Sequence, residues 1–499
     1  MTDYLYKTEP FKHQHEVFID SREREFYALL MEQGTGKSKV IVDTGSFLYA
    51  NGHIDAVLVI APNGVQRNWV INEFPAHCPD YVNYRAAWYS AGATKEEEKC
   101  LASVLKHDKG LKVAAINVES LTTAKGISFI KSFLINYRTL LVVDESSTIK
   151  NPKAIRTKNL LKLSHHAKYR RILTGTPVTQ GPLDLFTQFT FLDSHILRCG
   201  SYFAFRGQYA LMKDIRISGG RFIKVVDRYC NLEHLQNLIS PHSYRVTKAD
   251  CLDLPEKLYS KRYVELSSYQ RSLYNSLKKE VVAEFNGMTM SAPLALTKLM
   301  RLQQIVGGYF QADQTISTDS DSFFELPQSY ALIKPVAIDE RNPRVESLIE
   351  LLEEVQGKVI IWARFRAEIG AISDRISESF GAESLVQYHG GIDNEQRTLA
   401  VQSFQNSDRV RFFVGHVQAG GKGLTLHAAQ TVVYFSNNFS LEDRLQSEDR
   451  AHRIGQKNNV TYVDFIATNT LDATIVEALR GKKNIADLVT GDIPLENWV

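Results

Sequence analysis

Gly34-Thr35-Gly36-Lys37-Ser38 stands between a short apolar stretch, Phe26–Leu30, and a helix-like segment, Lys39–Ala50. Strand, glycine-rich turn and helix in that order form a unit suited to holding phosphate. The glycines let backbone N–H groups approach phosphate oxygens, and the helix N-terminus adds the positive end of its dipole. Lys37 is the candidate to reach the β- and γ-phosphates of a nucleotide, and Ser38 the candidate to hold Mg²⁺. The full pattern has another glycine five residues before Gly36, where this chain has Met31. Alone, the pentapeptide favours nucleotide binding and leaves a plain tight turn as the alternative.

Working outward, further apolar, β-branched runs occur near Ala56–Ala61, Val113–Asn117, Thr139–Val143 and Arg171–Thr174. A second set falls near Lys358–Trp362, Leu385–Tyr388, Val410–Val414, Thr431–Phe435 and Thr461–Ile466. Continuous apolar runs suit parallel strands buried on both faces. With helix-length segments between them they predict βαβ units, and having the set twice predicts two α/β lobes. From about Ser194 to Arg341 strand signals are few, and Tyr269–Phe285 and Ala292–Val306 read as helices. Gln311–Ser322 is polar and reads as a solvated loop.

Composition excludes several classes. Hydrophobic residues are 44% and charged residues 23% of the 499, as in ordinary soluble proteins. Apolar runs are far shorter than the ~20 residues of a membrane helix, and the first residues do not resemble a secretory signal. The five Cys, at 78, 100, 199, 230 and 251, form no C-x-x-C pair. A reducing compartment is expected, with neither a disulfide framework nor structural zinc. A net charge of +3 does not argue for nucleic acid by itself. Locally, Arg198–Arg228 carries seven Lys/Arg against two Asp, interleaved with aromatics such as Tyr202, Phe203 and Phe222. That stretch suits either a wet face or a nucleic-acid footprint. Within it Ile215–Ile217, Gly219-Gly220 and Phe222–Val226 read as a hairpin.

Asp144-Glu145 closes the apolar run Leu140–Val143. A carboxylate at the carboxyl end of a buried strand can hold Mg²⁺, and its neighbour can orient and deprotonate a water. The bland alternative is an acidic helix cap. Thr174-Gly175-Thr176-Pro177 ends the next strand and could relay the state of a nucleotide beside it. In the second set, Gln446, Arg450 and Arg453 recur at i, i+4 and i+7, on one helix face. Solvated charge is the usual fate of such arginines; cations that stabilise a transferring phosphoryl group are the functional alternative. Gly420-Gly421-Lys422-Gly423 offers another backbone that could approach phosphate.

In order, these segments resemble the helicase motifs of superfamily 2, most closely its Swi/Snf-type ATPases. Phe11-Lys12-His13-Gln14 resembles the glutamine motif, and Met31–Ser38 the family's phosphate loop. Leu58–Phe74 looks like motif Ia, and Asp144–Asn151 is similar to the D-E-A-H-x-I-K-N box, with Ser147 in place of His. Leu173–Pro177 looks like motif III, and Tyr244–Lys248, Leu254-Pro255-x-Lys257 and Tyr269-Gln270 resemble the linker motifs. Tyr388–Gly391, Gly420–Thr425 and Gln446–Gln456 are similar to motifs IVa, V and VI, and Arg450-Ala451-His452-Arg453-Ile454-Gly455-Gln456 is the most specific string.

The resemblance implies two RecA-like parallel-sheet lobes in tandem with a largely helical middle: 1–245, 246–340 and 341–499. It implies ATP hydrolysis with Mg²⁺, coupled to movement along double-stranded or forked DNA, with replication, recombination or repair favoured over chromatin. Gln14 would recognise adenine; Gly34, Thr35, Gly36, Lys37 and Ser38 would cradle the phosphates, with Gln446 beside them. Ser38 and Asp144 would hold Mg²⁺, Glu145 the attacking water, and Arg450 and Arg453 would be arginine fingers. DNA phosphates would meet Asn63, Gln66, Trp362, Arg364, Lys422 and Thr425. Gly181 and Pro182 replace the family's Asn pair, and Phe439 its usual Trp. On that resemblance the motifs would leave no room for a histone-reading, zinc or nuclease domain, and a partner protein or DNA structure would be expected to select the target. A monomer is expected, cytoplasmic in a bacterial or virus-infected cell, nuclear in a eukaryote. The rivals are an RNA or DNA strand-separating helicase and a non-catalytic nucleic-acid clamp.

Overall fold

The computed structural model describes residues 4–63, 65–89, 99, 101–104, 109–216, 222–251, 254–286, 292–310, 336–420, 424–453 and 455–490. The chain divides into two compact units, one comprising 1–212, 226–254 and 481–499, the other 213–225 and 255–480.

In the first unit β1 (Phe26–Met31), β2 (Ala56–Ala61), β3 (Tyr84–Tyr89), β4 (Leu111–Asn117), β5 (Thr139–Asp144) and β6 (Tyr169–Leu173) are parallel. Farther on, β7 (Ala210–Arg216) and β8 (Phe222–Tyr229), whose residues 213–225 are grouped with the second unit, pair only with each other, and β9 (Ser243–Val246) returns to the sheet beside β1. The order is β3-β4-β2-β5-β6-β1-β9. Alternate residues of each inner strand enter different layers. Ala28, Leu30, Leu58, Ile60, Leu141 and Val143 belong to one core, whereas Leu29, Met31, Val57, Val59, Leu140 and Val142 belong to the other. Both faces are covered, which is why these strands read as unbroken apolar runs.

The second unit repeats the plan. It contains β10 (Lys257–Val264), a short pair β11 (Tyr309–Phe310) and β12 (Val336–Ala337), then β13 (Lys358–Ala363), β14 (Leu385–Tyr388), β15 (Phe412–His416), β16 (Ala429–Tyr434) and β17 (Val460–Ala467). Its parallel sheet runs β10-β17-β16-β13-β15-β14. Val359, Ile361 and Ala363 face one core, and Ile360 and Trp362 the other. The two doubly wound sheets expected from the sequence are therefore present.

Five strands escaped the sequence reading: β3, β9, β10 and the two-residue β11 and β12. β3 and β10 carry no apolar run because they are edge strands: β10 is mostly exposed, with only Val264 buried. β10 lies in the stretch expected to be largely helical, yet it pairs along β17 from Lys257↔Val460 to Val264↔Ala467. The expected helices are there too, at Ser268–Asn286 and Ala292–Val306. β9 is only four residues long. Gln311–Ser322 and the Gly219-Gly220 turn lie outside the described residues.

Candidate active site

β1 hands the chain to the glycine turn at its carboxyl end, where parallel α/β sheets bind ligands. Gly34 and Gly36 have φ of 82° and 85°, a left-handed conformation that costs residues bearing a Cβ. At Gly36 space is a second reason: a Cβ would lie 2.0 Å from Gln14 Nε2. Helix α1 (Lys12–Ser21) supplies Gln14, whose Nε2 donates to Thr35 O at 3.0 Å while its Oε1 accepts from Phe11 N at 3.0 Å. Lys37 begins helix α2 (Lys37–Ala50), and its Nζ donates to Met31 O at 2.8 Å and Glu32 O at 3.1 Å. The ammonium is thus held inside its own loop.

β5 ends at Asp144, two strands along from β1. Asp144 Oδ2 accepts from Trp69 Nε1 at 2.9 Å and Oδ1 from Glu145 N at 2.9 Å. Burial pushes the Asp144 carboxyl above the usual carboxylate range, with the Trp69 N–H and the Lys37 charge pulling the other way. Burial likewise raises Glu73, whose partners are Asn68 and the Ser38 hydroxyl and which also feels the Asp144 charge. Glu145 sits at φ 50°, ψ 61°, a left-handed conformation for a non-glycine residue. Such strain, of order 1 kcal/mol, collects at functional sites. Glu145 Oε1 accepts from Gln33 Nε2 at 3.2 Å, linking the acidic pair to the glycine loop.

Thr174–Pro177 packs on the same loop. Thr174 N donates to Leu29 O at 3.1 Å, and a Cβ on Gly175 would stand 3.1 Å from Gln33 N. A buried relay joins this turn to the acidic strand end. Ser146 Oγ donates to Gln188 Oε1 at 2.6 Å, and Gln188 Nε2 donates to Pro177 O at 2.7 Å and Asp184 O at 2.8 Å. Ser147, which replaces the family's His, is buried next to it.

Beside Gln14 lies a cavity of about 780 Å³ lined by Phe11, His13, Glu16, Tyr244, Arg245 and Asp250, among others. Burial, with the Glu16 carboxylate next to it, pushes the Tyr244 phenol up to about 12. Arg245 Nη1 donates to Leu30 O at 3.0 Å and Gly175 O at 3.2 Å, clasping β1 to the motif III turn.

In the second unit, Ser440 caps the helix Leu441–Ala451 through Asp443 N. Gln446 and Arg450 share its face, and both are largely buried, whereas Arg453, expected on the same face, lies beyond the helix's last residue, Ala451. Gln446 Nε2 donates to Glu442 Oε1 at 3.4 Å. Arg450 Nη1 reaches Leu424 O at 3.4 Å, while Arg453 Nη1 reaches Leu424 O at 3.1 Å and Thr425 Oγ1 at 2.8 Å. Both guanidiniums thus converge on Leu424-Thr425, and burial lowers the pKa of Arg453.

The residues expected to touch DNA fare unequally. Asn63 is exposed and Gln66 buried, with Gln66 Nε2 donating to Asn63 Oδ1 at 3.5 Å. Trp362 must be withdrawn as a contact: it is 0% exposed inside the second unit's core, edge-on to Phe413 at 5.9 Å. β-strand alternation dictates this, since Trp362 takes the inward register of Ile360. Arg364 is half-buried against Gln303 and lines a cavity of about 130 Å³ with His416, Gln418, Ser436 and Asn438. Thr425 is occupied by Arg453, and Lys422 lies outside the described residues.

Sequence reading missed Gln188, and it placed Gln33, Trp69 and Arg245 inside motifs without foreseeing their contacts. Gln188 left a signal of its own, a polar residue inside the apolar helix Leu185–Leu192. The others hold partners that are distant in sequence, which no local pattern announces.

Comparison with known proteins matches residues 4–308 to the SNF2-related domain and residues 343–455 to the helicase conserved C-terminal domain. YwqA of Bacillus subtilis (strain 168) is 28% identical over 458 residues, covering 89% of this chain and 44% of that protein. Chromodomain-helicase-DNA-binding protein 1-like of Danio rerio is 25% identical over 463 residues, covering 92% and 41%. The chain therefore spans less than half the length of these relatives. Among solved structures, the Sulfolobus solfataricus SWI2/SNF2 ATPase core in complex with dsDNA is similar over 98% of this chain and 95% of that one, at 23% identity and a TM-score of 0.42. With most of its length matched by the SNF2-related domain, and with the glycine loop and acidic strand end brought together in one unit, the chain belongs to the SNF2-related helicase-like ATPase family.

Proposed function

We propose that this chain hydrolyses ATP to move along duplex or forked DNA, in replication, recombination or repair. The carrying observation is that Gly34–Ser38 and Asp144-Glu145 leave the carboxyl ends of β1 and β5, which flank β6 in the same parallel sheet, with Gln33 bonded to Glu145. Gln14 and the cavity beside it would take the adenine, and the N–H groups of the glycine loop and the Lys37 ammonium would take the phosphates. A divalent cation fits the residues present. Asp144 is a carboxyl that burial leaves reluctant to ionise, a cost that a nearby dication would offset, and the Ser38 hydroxyl borders the same acidic pocket. Among the described residues no group of three or more His, Cys, Asp or Glu could hold a metal unaided. Mg²⁺ binds through one or two protein groups plus substrate phosphates, which Ser38 and Asp144 together would provide on the protein side. Held by Ser38 and Asp144, the ion would neutralise charge on the transferring phosphoryl group.

Glu145 would accept a proton from the attacking water, its strained backbone fixing where the carboxylate points. Arg450 and Arg453 would supply positive charge as the phosphoryl group leaves. DNA as the track is supported by family membership and by a relative whose name includes DNA binding.

The test is steady-state ATP hydrolysis at one fixed low salt with no nucleic acid, single-stranded DNA, blunt duplex, forked DNA and RNA. Strong stimulation by duplex or fork is expected, and Glu145→Gln should abolish turnover while sparing ATP binding. A Glu145→Gln variant that hydrolyses ATP at the parental rate refutes the assignment of the water-activating group. Stimulation by RNA alone refutes the DNA track.

A further inference from the structure

Outside both sites, β7 and β8 make a two-stranded ribbon that joins neither core sheet. A lone two-stranded ribbon is marginal in water, so its base needs anchoring. Cys230 N donates to Tyr209 O at 3.0 Å, Asn231 Nδ2 to Gln208 O at 2.7 Å, and Tyr229 OH to Gln180 O at 3.4 Å. The tyrosine also explains Gly181: a Cβ there would stand 2.0 Å from the Tyr229 hydroxyl oxygen. The ribbon's foot is thus built into the loop that leaves Thr174–Pro177.

Its upper part has an unusual surface. From Lys213 to Arg228 the sequence carries five Lys/Arg against two Asp, a surplus equal to the chain's whole net charge of +3. Phe222 is 66% exposed, and Lys224 and Arg228 are exposed as well. Strand alternation places all three on one face of β8. At ~3.3 Å per residue Lys224 and Arg228 stand about 13 Å apart, close to the axial rise of four nucleotides. Exposed cations interleaved with an exposed ring are the chemistry of a strand-binding platform: charge for phosphates, ring face for an unpaired base. Fully paired duplex offers no free base, whereas a branch point does.

We propose that the β7–β8 ribbon contacts nucleic acid at a branch point, with Lys224 and Arg228 on backbone phosphates and Phe222 stacked on an unpaired base, so that the chain prefers forked to blunt DNA. This rests on the reading of the chain as a DNA motor and adds to it the part that selects the substrate.

The experiment uses the full chain without nucleotide and measures fluorescence anisotropy of labelled forked and blunt DNA of equal length over a salt series. Phe222→Ala is expected to weaken fork binding about 5- to 100-fold and to leave blunt duplex within about twofold. Phe222→Leu, which keeps apolar bulk without the ring, should lose most of the same preference. Lys224→Gln with Arg228→Gln should weaken both substrates and flatten the slope of log affinity against log salt by about 1.8. DNA-independent ATP hydrolysis should stay at the parental rate in every variant, which controls for folding. Unchanged fork affinity in these variants overturns the proposal and leaves an acidic protein as the ribbon's partner. Equal losses on fork and blunt DNA with Phe222→Ala overturn the branch-point assignment. A parental chain that binds neither DNA defeats the motor reading itself, and the ribbon proposal with it.

Discussion

Glu448 lies at the centre of a buried ionic cluster under the helix that carries Arg450. Its Oε1 accepts from Arg444 Nε at 2.9 Å, and its Oε2 from Lys257 Nζ at 3.2 Å and Tyr259 OH at 2.8 Å. Burial alone would raise this carboxyl, but Lys257 and Arg444 outweigh it and hold it at about 2. Glu448→Gln keeps the shape and removes the charge, leaving Lys257 and Arg444 short of a buried counter-ion. Breaking one side of such a pair costs roughly 3–5 kcal/mol. Proton linkage gives a similar figure by another route. A folded pKa of about 2 against ~4.3 unfolded is worth about 3 kcal/mol above pH 5. The sign follows from the depression: the stabilisation is full above the unfolded value and is lost as pH falls through about 2. At pH 3 about half of it should remain.

The assay is denaturant unfolding of parent and Glu448→Gln at pH 7, 5, 4 and 3, followed by hydrogen exchange in the helix Leu441–Ala451. That local probe is needed because two compact units need not unfold together. The gap between parent and variant should be near 3 kcal/mol at pH 7 and about half of that at pH 3. A gap that is the same at both values, or absent at pH 7, refutes the reasoning.

Two further outcomes are expected. Gln188→Leu leaves the buried Ser146 hydroxyl without its acceptor and should cost about 1–3 kcal/mol, measured by urea unfolding. Adding Ser146→Ala should restore part of that loss, because Pro177 O and Asp184 O still lack the Gln188 amide, and a double variant no better than the single one would show that the Ser146–Gln188 pair is not what matters. Trp362→Ala should cost about 3–5 kcal/mol, and Trp362→Phe should leave DNA affinity at the parental value. A Trp362→Phe protein of normal stability that binds DNA poorly would return the residue to the contact surface.

Much of this architecture could be read from the chain because burial on both faces writes itself into composition. The run Ala56–Ala61 is apolar at every position since odd and even residues enter different cores, and its bounds came out unchanged. β10 gave no such sign: its hydrogen bonds to β17 are backbone bonds, indifferent to the polar side chains of Lys257–Val264. The same division runs through the site. Glycines, Lys37 and the Asp144-Glu145 pair are chemically rare in their setting and therefore visible. Partners such as Trp69 on Asp144 and Gln188 on Ser146 are ordinary residues that matter only through contacts made by folding. Trp362 was misplaced for a related reason: nearness to a motif in sequence says nothing about the face of the strand.

Arginines on one short stretch show what structure adds to residue type. Arg444 is saturated: it pairs with Glu448 and with Asp464, and stacks on the Tyr434 ring at 3.5 Å. Both carboxylates raise its affinity for its own proton, together with Tyr434 and against the penalty of burial. It is a structural cation, and an incoming phosphate would have to compete with two carboxylates. Arg453 differs. Its Nη1 is steadied by a carbonyl and a hydroxyl, Leu424 O and Thr425 Oγ1, which orient a guanidinium without neutralising it. Burial depresses its pKa, with the Asp449 carboxylate pulling the other way and offsetting part of the cost of holding charge there. From sequence both are arginines on a charged helix. Arg444 is committed to two carboxylates of the fold, whereas Arg453 is hydrogen-bonded by neutral groups and feels the Asp449 carboxylate, which leaves it better placed than Arg444 to meet an anion.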